Sequence, residues 1–138
     1  MSFLLDTNVV SEWVKPKPNP GLMHWTESVD EDRVFLSVVS LAELRYGVER
    51  MASGSRQRTL EEWLHYRLPT RFERRILPVD PVVADSCGRI VSRCEKVGRP
   101  IEAIDAFLAA TAEVHQLTLV TRNVSDFSVL SDVLNPWT

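Results

Sequence analysis

Short apolar runs recur along the chain, separated by longer stretches whose apolar residues have helical spacing. Runs of this length, bounded by turn residues, are typical of strands buried within a sheet. The strands predicted in this way are Phe3–Leu5, Val34–Leu36, Ile76–Val79 and Leu117–Val120, with Asp132–Leu134 as a candidate fifth. Pro78 cannot donate a ladder hydrogen bond and therefore places the third strand at an edge of the sheet.

The stretches between these strands predict helices. Their predicted bounds are 7–14, 22–28, 40–50, 57–72, 81–98 and 102–115. Asp80 and Pro81 form a suitable N-cap and first-turn pair, whereas three prolines between Lys15 and Gly21 disfavour regular structure. Strands that alternate with helices indicate an α/β fold. We predict one domain over residues 1–138, with a mostly parallel central sheet of four to five strands flanked by helices.

The composition is that of an ordinary globular protein. The chain has 138 residues, of which 44% are hydrophobic and 25% charged, enough for one domain with one sizeable core. No apolar run approaches the ~20 residues of a membrane helix. The N-terminal residues have neither the basic lead nor the long apolar stretch of a signal peptide. We therefore expect no membrane association and a cytoplasmic location.

The cysteines and histidines offer no cross-link and no zinc site. Cys87 and Cys94 fall in one predicted helix, which would separate their Cα atoms by ~10 Å. A disulfide requires less than ~7 Å, so we expect two buried free thiols. The three histidines are scattered, without zinc-ligand spacing.

Charge is distributed unevenly along the chain. The formal net charge is −3, yet Arg45–Arg99, here called the basic middle, holds 12 Lys and Arg against 7 Asp and Glu. This segment could bind a phosphate backbone, or its arginines could simply solvate helix faces. No aromatic stacking platform or groove-reading helix is evident. The four tryptophans, at positions 13, 25, 63 and 137, are expected in the core or at an interface.

Three acidic residues each follow a predicted strand by a few positions. Asp6, Glu43 and Asp126 would therefore reach the carboxyl edge of the sheet, where α/β proteins bind ligands. Each also has a purely local explanation. Asp6 could cap the first helix, Glu43 could form a capping box with Ser40, and Asp126 could stabilise a turn.

Asp105 has no such local explanation. It lies in an almost wholly apolar helical stretch, and no Lys or Arg occurs between Arg99 and Arg122. A buried carboxylate without a cation is costly, and a metal ion would offset that cost. Glu102 falls on the same helix face and could join or flank the site. Converging carboxylates would select Mg²⁺ or Mn²⁺ over zinc.

Five segments together resemble the PIN-domain nucleases, and more narrowly the VapC-like toxins of prokaryotic toxin–antitoxin systems. The matching segments are Leu4–Glu12, Ser37–Gly47, Ile104–Ala112, Leu117–Phe127 and Val133–Trp137. They span nearly the whole chain in the family's order.

This resemblance implies a Mg²⁺-dependent endoribonuclease, with Mn²⁺ as a possible substitute, that is held inactive by a cognate antitoxin and is usually dimeric. The family's acidic quartet falls on Asp6, Glu43, Asp105 and Asp126. Metal-activated water would hydrolyse the RNA and leave a 5′-phosphate, with Asp6 and Asp105 as the principal ligands. The supporting polar residues implied by the resemblance are Asn8, Thr121 and Asn123. Gln116 stands where the family commonly has glycine, at a helix end away from the chemistry.

Three other functions remain to be compared with this one. A haloacid-dehalogenase-like phosphatase would need a second Asp where this chain has Asn8, and a Lys after Lys96, where there is none. A PIN-like module could instead bind RNA or protein without cutting. A related nuclease could act on DNA.

Overall fold

Five parallel strands form one sheet, in the order β3-β2-β1-β4-β5. The computed structural model describes all residues from 1 to 138. The strands are β1 (Phe3–Leu5), β2 (Val34–Ser37), β3 (Ile76–Leu77), β4 (Thr118–Val120) and β5 (Val133–Leu134). Every pairing is parallel, so the predicted, mostly parallel sheet is confirmed as wholly parallel. The third strand lies at an edge and stops before Pro78, because proline cannot continue the ladder.

Seven α-helices connect and cover the strands. They are α1 (Thr7–Trp13), α2 (Pro20–Ser28), α3 (Val38–Arg50), α4 (Ser55–Glu62), α5 (Leu68–Arg71), α6 (Pro81–Lys96) and α7 (Ala103–His115). A π-helical turn, Trp63–Arg67, joins α4 to α5, and 3₁₀ turns occupy Glu31–Arg33 and Val124–Phe127. No helix is both long enough and apolar enough to cross a membrane.

The sheet separates two apolar clusters of 13 buried residues each. Phe3 and Leu5 face one cluster and Leu4 faces the other, as the alternation of side chains along a strand requires. Both layers therefore pack against β1, which lies at the centre of the sheet and is buried throughout. Cys87 and Cys94 are free and buried in the second cluster, as expected.

The start of α3 differs from the prediction in a way that affects the acidic residues. We predicted that Ser40 begins this helix, a start that would have allowed a capping box with Glu43. That prediction is wrong: Ser37 is the N-cap, and its hydroxyl accepts a hydrogen bond from Val39 N at 3.0 Å. Ser40 lies inside the helix and is fully buried. Glu43 is therefore in the second turn, where its carboxylate serves no cap.

Prolines and glycines account for the other differences. The second helix begins at Pro20, within the segment predicted to be irregular, because Asn19 caps it and proline is favoured in a first turn. The predicted helix 57–72 begins at Ser55 and contains the π turn. That turn ends just before Pro69, whose ring would clash with the carbonyl four residues earlier in a regular helix. The helix α6 ends at Lys96, and Gly98 follows with a left-handed φ of 71°.

Candidate active site

All four predicted acidic residues line one cleft at the carboxyl edge of the sheet. Asp6 follows β1, Glu43 lies in α3, Asp105 is in the first turn of α7, and Asp126 is in the 3₁₀ turn after β4. Their carboxylates share a cleft of about 400 Å³. The two central strands, β1 and β4, are adjacent and parallel, which brings their carboxyl ends to the same place.

Asp6 both caps a helix and faces the cleft. Its Oδ1 accepts a hydrogen bond from Thr7 N at 2.7 Å, which caps α1. Its Oδ2 accepts one from Thr121 Oγ1 at 2.7 Å and a longer one from Asn8 Nδ2 at 3.3 Å. These donors fix the orientation of a carboxylate that is only 7% exposed. The two interpretations that the sequence left open for Asp6 are therefore compatible.

The supporting polar residues form a network around this carboxylate. Thr121 is buried, and its Oγ1 also accepts hydrogen bonds from Asn123 N at 3.0 Å and from Asn8 Nδ2 at 3.4 Å. Asn8 Oδ1 accepts a hydrogen bond from Arg122 N at 3.4 Å. The network joins the loop after β4 to the start of α1. Asn123 contributes through its backbone amide, while its side chain lines the cleft.

Glu43 is connected to the first helix through a residue that sequence reasoning missed. Thr7 Oγ1 donates a hydrogen bond to Glu43 Oε1 and lies 2.9 Å from the hydroxyl of the buried Ser40. Thr7 therefore contacts Asp6 through its backbone and Glu43 through its side chain. Its position directly after Asp6, at the helix start, was the only sequence signal for this role.

Burial and mutual repulsion together set the electrostatics of the cleft. Burial raises the pKa of Asp105 to about 6, and the charges of Asp6, Asp126, Glu43 and Glu102 add to the rise. Burial also raises the pKa of Asp6, against the lowering effect of its hydrogen bonds from Thr121 and Thr7. None of the four acidic residues takes part in an ion pair. The four carboxylates thus form an anionic site in which no protein cation is paired with any of them.

Glu12, at the margin of the same cleft, behaves in the opposite way. It is also buried, yet a hydrogen bond from Lys15 is the main reason that its pKa is lowered. The Lys15 ammonium lies 2.8 Å from Glu12 Oε1, and Asn19 N donates to Oε2 at 2.9 Å. Glu12, which has a structural role, forms an ion pair with Lys15, whereas the four candidate acidic residues form no ion pair.

The donor set fits a hard divalent cation. The four acidic residues offer only oxygen atoms, which suits Mg²⁺ or Mn²⁺. No three Asp, Glu, His or Cys side chains are arranged to hold a metal ion as a group. Direct ligation by one or two carboxylates, with water in the other positions, matches the usual coordination of Mg²⁺ in proteins. Asp6, which is held in place by its donors, and Asp105, which lacks any partner, are the strongest candidates.

Two cavities meet at the acidic residues. A second cavity of about 470 Å³ shares Asp105 and Asp126 with the cleft and is also lined by Glu102 and Arg99. Glu102 is exposed and flanks the site. Within the basic middle, Arg99 is the only cation that lines either cavity. Many of the other arginines are held in ion pairs or by backbone carbonyls. These are Arg45, Arg56, Arg71, Arg75, Arg89 and Arg93.

The lining of the cleft also includes residues of a different kind. It is lined by Lys15, Arg122 and Trp137, none of which was predicted to belong to the site. All four tryptophans pack against the first apolar cluster, as expected for core residues. Trp137 differs from the other three because it also borders the cleft.

The arrangement is that of a known class of protein. The sequence profile of the PIN domain matches residues 3–131, and the chain belongs to the PIN domain family. The toxin FitB of Neisseria gonorrhoeae is 40% identical over 135 residues, which cover 97% of each chain. The VapC ribonuclease Y4jK of Sinorhizobium fredii is 31% identical over 135 residues, covering 97% of this chain and 96% of the relative. The crystal structure of FitAcB from Neisseria gonorrhoeae superposes with a TM-score of 0.91 at 40% identity, covering 98% of each chain.

Proposed function

We propose that this chain is a metal-dependent endoribonuclease and the toxin of a toxin–antitoxin pair. The observation that carries the proposal is the cleft in which Asp6, Glu43, Asp105 and Asp126 meet, none of them with an ion-pair partner. Four carboxylates held close together repel one another, and a divalent cation relieves that cost. The names of the relatives, a toxin and a VapC ribonuclease, support RNA as the substrate.

Each residue has a definite role in the proposed site. Asp6 and Asp105 would hold Mg²⁺ or Mn²⁺ directly, and Glu43 and Asp126 would act directly or through water. A bound cation would polarise the phosphate, assist deprotonation of water and neutralise developing charge. Asn8 and Thr121 keep the Asp6 carboxylate oriented by donating to its Oδ2. Hydrolysis would leave a 5′-phosphate on the released fragment.

Cleavage of end-labelled RNA by the purified protein in Mg²⁺ or Mn²⁺ tests the activity. We expect cutting that is abolished by EDTA and by Asp105→Asn. Glu102→Gln is the matched control, because Glu102 lies three residues earlier on the same helix end but remains exposed and outside the proposed ligand set. Cutting that survives Asp105→Asn would remove Asp105 from the mechanism. Metal binding by calorimetry without any cutting of RNA would point to a binding module or a DNA substrate.

The biological part of the proposal concerns partners. An enzyme that cuts the RNA of its own cell must be restrained, and a cognate antitoxin protein would provide that restraint in the cytoplasm. We further propose a homodimer, following the resemblance to VapC-like toxins. Induced expression should arrest growth, co-expression of the protein encoded beside it should restore growth, and light scattering should report twice the chain mass. Unimpaired growth with full-length active protein would contradict the toxin assignment while leaving the nuclease intact.

A further inference from the structure

Trp137 is placed to contact a substrate as well as to fill the core. The side chain packs against the first apolar cluster and is partly exposed in the wall of the acidic cleft. Its indole N–H has no hydrogen-bond partner within the chain. The cleft volume of about 400 Å³ lies within the ~300–1,000 Å³ of typical ligand pockets. An aromatic ring in the wall of a nuclease cleft is a surface on which a base can stack.

The backbone on both sides of Trp137 is held firmly. Asn135 Oδ1 accepts a hydrogen bond from Trp137 N at 2.9 Å. Asn19 accepts one from Thr138 N at 3.1 Å and donates one to Thr138 O at 3.1 Å. Gly21 permits this close approach, because a Cβ there would lie 2.6 Å from the carbonyl oxygen of Pro136. The tryptophan therefore presents its ring without a large loss of conformational entropy on binding.

Positive charge also lies in the wall of the cleft. Arg122 is exposed, lines the same cleft, and its guanidinium forms no ion pair or hydrogen bond. Its backbone is fixed on both sides, because Arg122 N donates to Asn8 and Arg122 O accepts from Asn135. Lys15 adds a second positive charge at the rim, although it is shared with Glu12. The lining of the cleft thus combines the carboxylates with an aromatic ring and a guanidinium that forms no ion pair.

We propose that Trp137 and Arg122 form a nucleotide subsite beside the scissile phosphate. Trp137 stacks on one unpaired base of the RNA, and Arg122 binds the phosphate of the same or the adjacent nucleotide. The proposal rests on the proposed ribonuclease activity and deepens it, since it names the residues that select single-stranded RNA at the cut. The unpaired state of the base is essential, because a base within a duplex has no free face for the indole.

The stacking half is tested by combining protein variants with RNA variants. Trp137→Leu keeps an apolar side chain against the core but removes the ring, and Trp137→Phe keeps both. Single-turnover cleavage of a short single-stranded RNA gives the half-saturating protein concentration. The same RNA is also made with an abasic nucleotide on each side of the cut in turn. Tyr66→Leu, which removes an exposed aromatic ring outside both cavities, is the matched control.

We expect Trp137→Leu to raise the half-saturating concentration about 10-fold on intact RNA. Trp137→Phe should recover most of this loss, and Tyr66→Leu should have no effect. With the abasic nucleotide at the stacked position, wild type and Trp137→Leu should become equal. An equal loss on intact and both abasic RNAs would mean that Trp137 acts only through folding, and would overturn the proposal. Wild-type cleavage with no response to Trp137→Leu would overturn the subsite alone, whereas a wild type that cuts no RNA would refute the proposed function.

The phosphate half is tested by salt dependence. Removing one phosphate contact on a single strand reduces the slope of log affinity against log salt by about 0.7. Arg122→Gln should produce this reduction, measured by fluorescence anisotropy of the labelled RNA in EDTA. Arg89→Gln is the matched control, because it removes one positive charge from α6, outside both cavities. It should leave the slope near that of wild type. Equal slopes for Arg122→Gln and wild type would exclude Arg122 from the subsite.

Discussion

Replacing Asp105 with asparagine should stabilise the metal-free protein at neutral pH, although it removes a proposed ligand. Burial and neighbouring carboxylates raise the pKa of Asp105 from 3.8 to about 6 in the folded chain. A carboxyl group with a higher pKa in the folded state binds its proton more tightly there than in the unfolded state. The free energy of unfolding therefore falls as the pH rises from about 4 to about 7. Above that range Asp105 is charged in both the folded and the unfolded state.

The size of this effect follows from the same pKa values. A rise from 3.8 to about 6 corresponds to ~3 kcal/mol if the group were shielded from water. The side chain is partly exposed, so solvent screening reduces the expected gain for Asp105→Asn to about 1–2 kcal/mol at pH 7.5. At pH 4.5 Asp105 is largely protonated in the folded chain but still mostly charged in the unfolded chain, so the gain should fall to about a third of its value at pH 7.5.

Urea unfolding in EDTA at these two pH values measures the effect. At each pH, the free energy of unfolding of wild type is subtracted from that of Asp105→Asn. The relevant quantity is the change in this difference between pH 4.5 and pH 7.5, because a difference in helix propensity between Asp and Asn is the same at both. Glu102→Gln removes an exposed carboxylate that contributes less than burial to the Asp105 pKa, so it should show a much smaller change. A constant difference between Asp105→Asn and wild type at both pH values would refute the reasoning. Added Mg²⁺ should then favour the wild type, since a ligand that binds the folded state stabilises it.

Four further substitutions test features in and around the site. Thr121→Val removes the donor to Asp6 Oδ2, and we expect thermal or urea unfolding to report a loss of about 1–3 kcal/mol with a further rise in the Asp6 pKa. Gln116→Gly places glycine at a residue with φ of 54°, and should raise the free energy of unfolding by about 0.5–1 kcal/mol. Gly21→Ala forces the C-terminal residues away and should destabilise the protein and weaken RNA binding. Gly47→Ala, in a helix with open space around it, should instead stabilise it by up to about 1 kcal/mol; if both glycine variants behave alike, the steric argument for Gly21 fails.

The strands and the acidic residues could be predicted because their signals are local. Each short apolar run produced a strand, and the rule that ligands bind at carboxyl ends brought Asp6, Glu43 and Asp126 to one edge. Asp105 could be identified by elimination, since its neighbours along the helix offered no cation. These inferences require only the order of residues along the chain and the geometry of a parallel sheet.

The features that escaped prediction depend on contacts between distant segments. Ser37 and Ser40 both precede a helical pattern, and the pairing of Ser37 with Leu77 in the sheet decides that the strand continues to Ser37. Trp137 borders the cleft because Thr138 binds Asn19, which is 119 positions earlier in the sequence. The basic middle suggested phosphate binding, yet ion pairs to acids elsewhere in the chain occupy many of its arginines. No local pattern reports such pairings.

The position of β1 in the sheet has a consequence for how the protein is made. The first strand is the central one, and its partner on one side, β4, is not synthesised until residue 118. Domains form during translation as their residues become available, and here Thr121 and Asp126 become available only after β4. A growing chain that already carries Asp6 and Glu43 still has β1 unpaired on that side and half of its carboxylates missing. The cleft therefore cannot hold all four acidic residues until β4 has been made and has paired with β1, so no shorter product of translation carries the complete set.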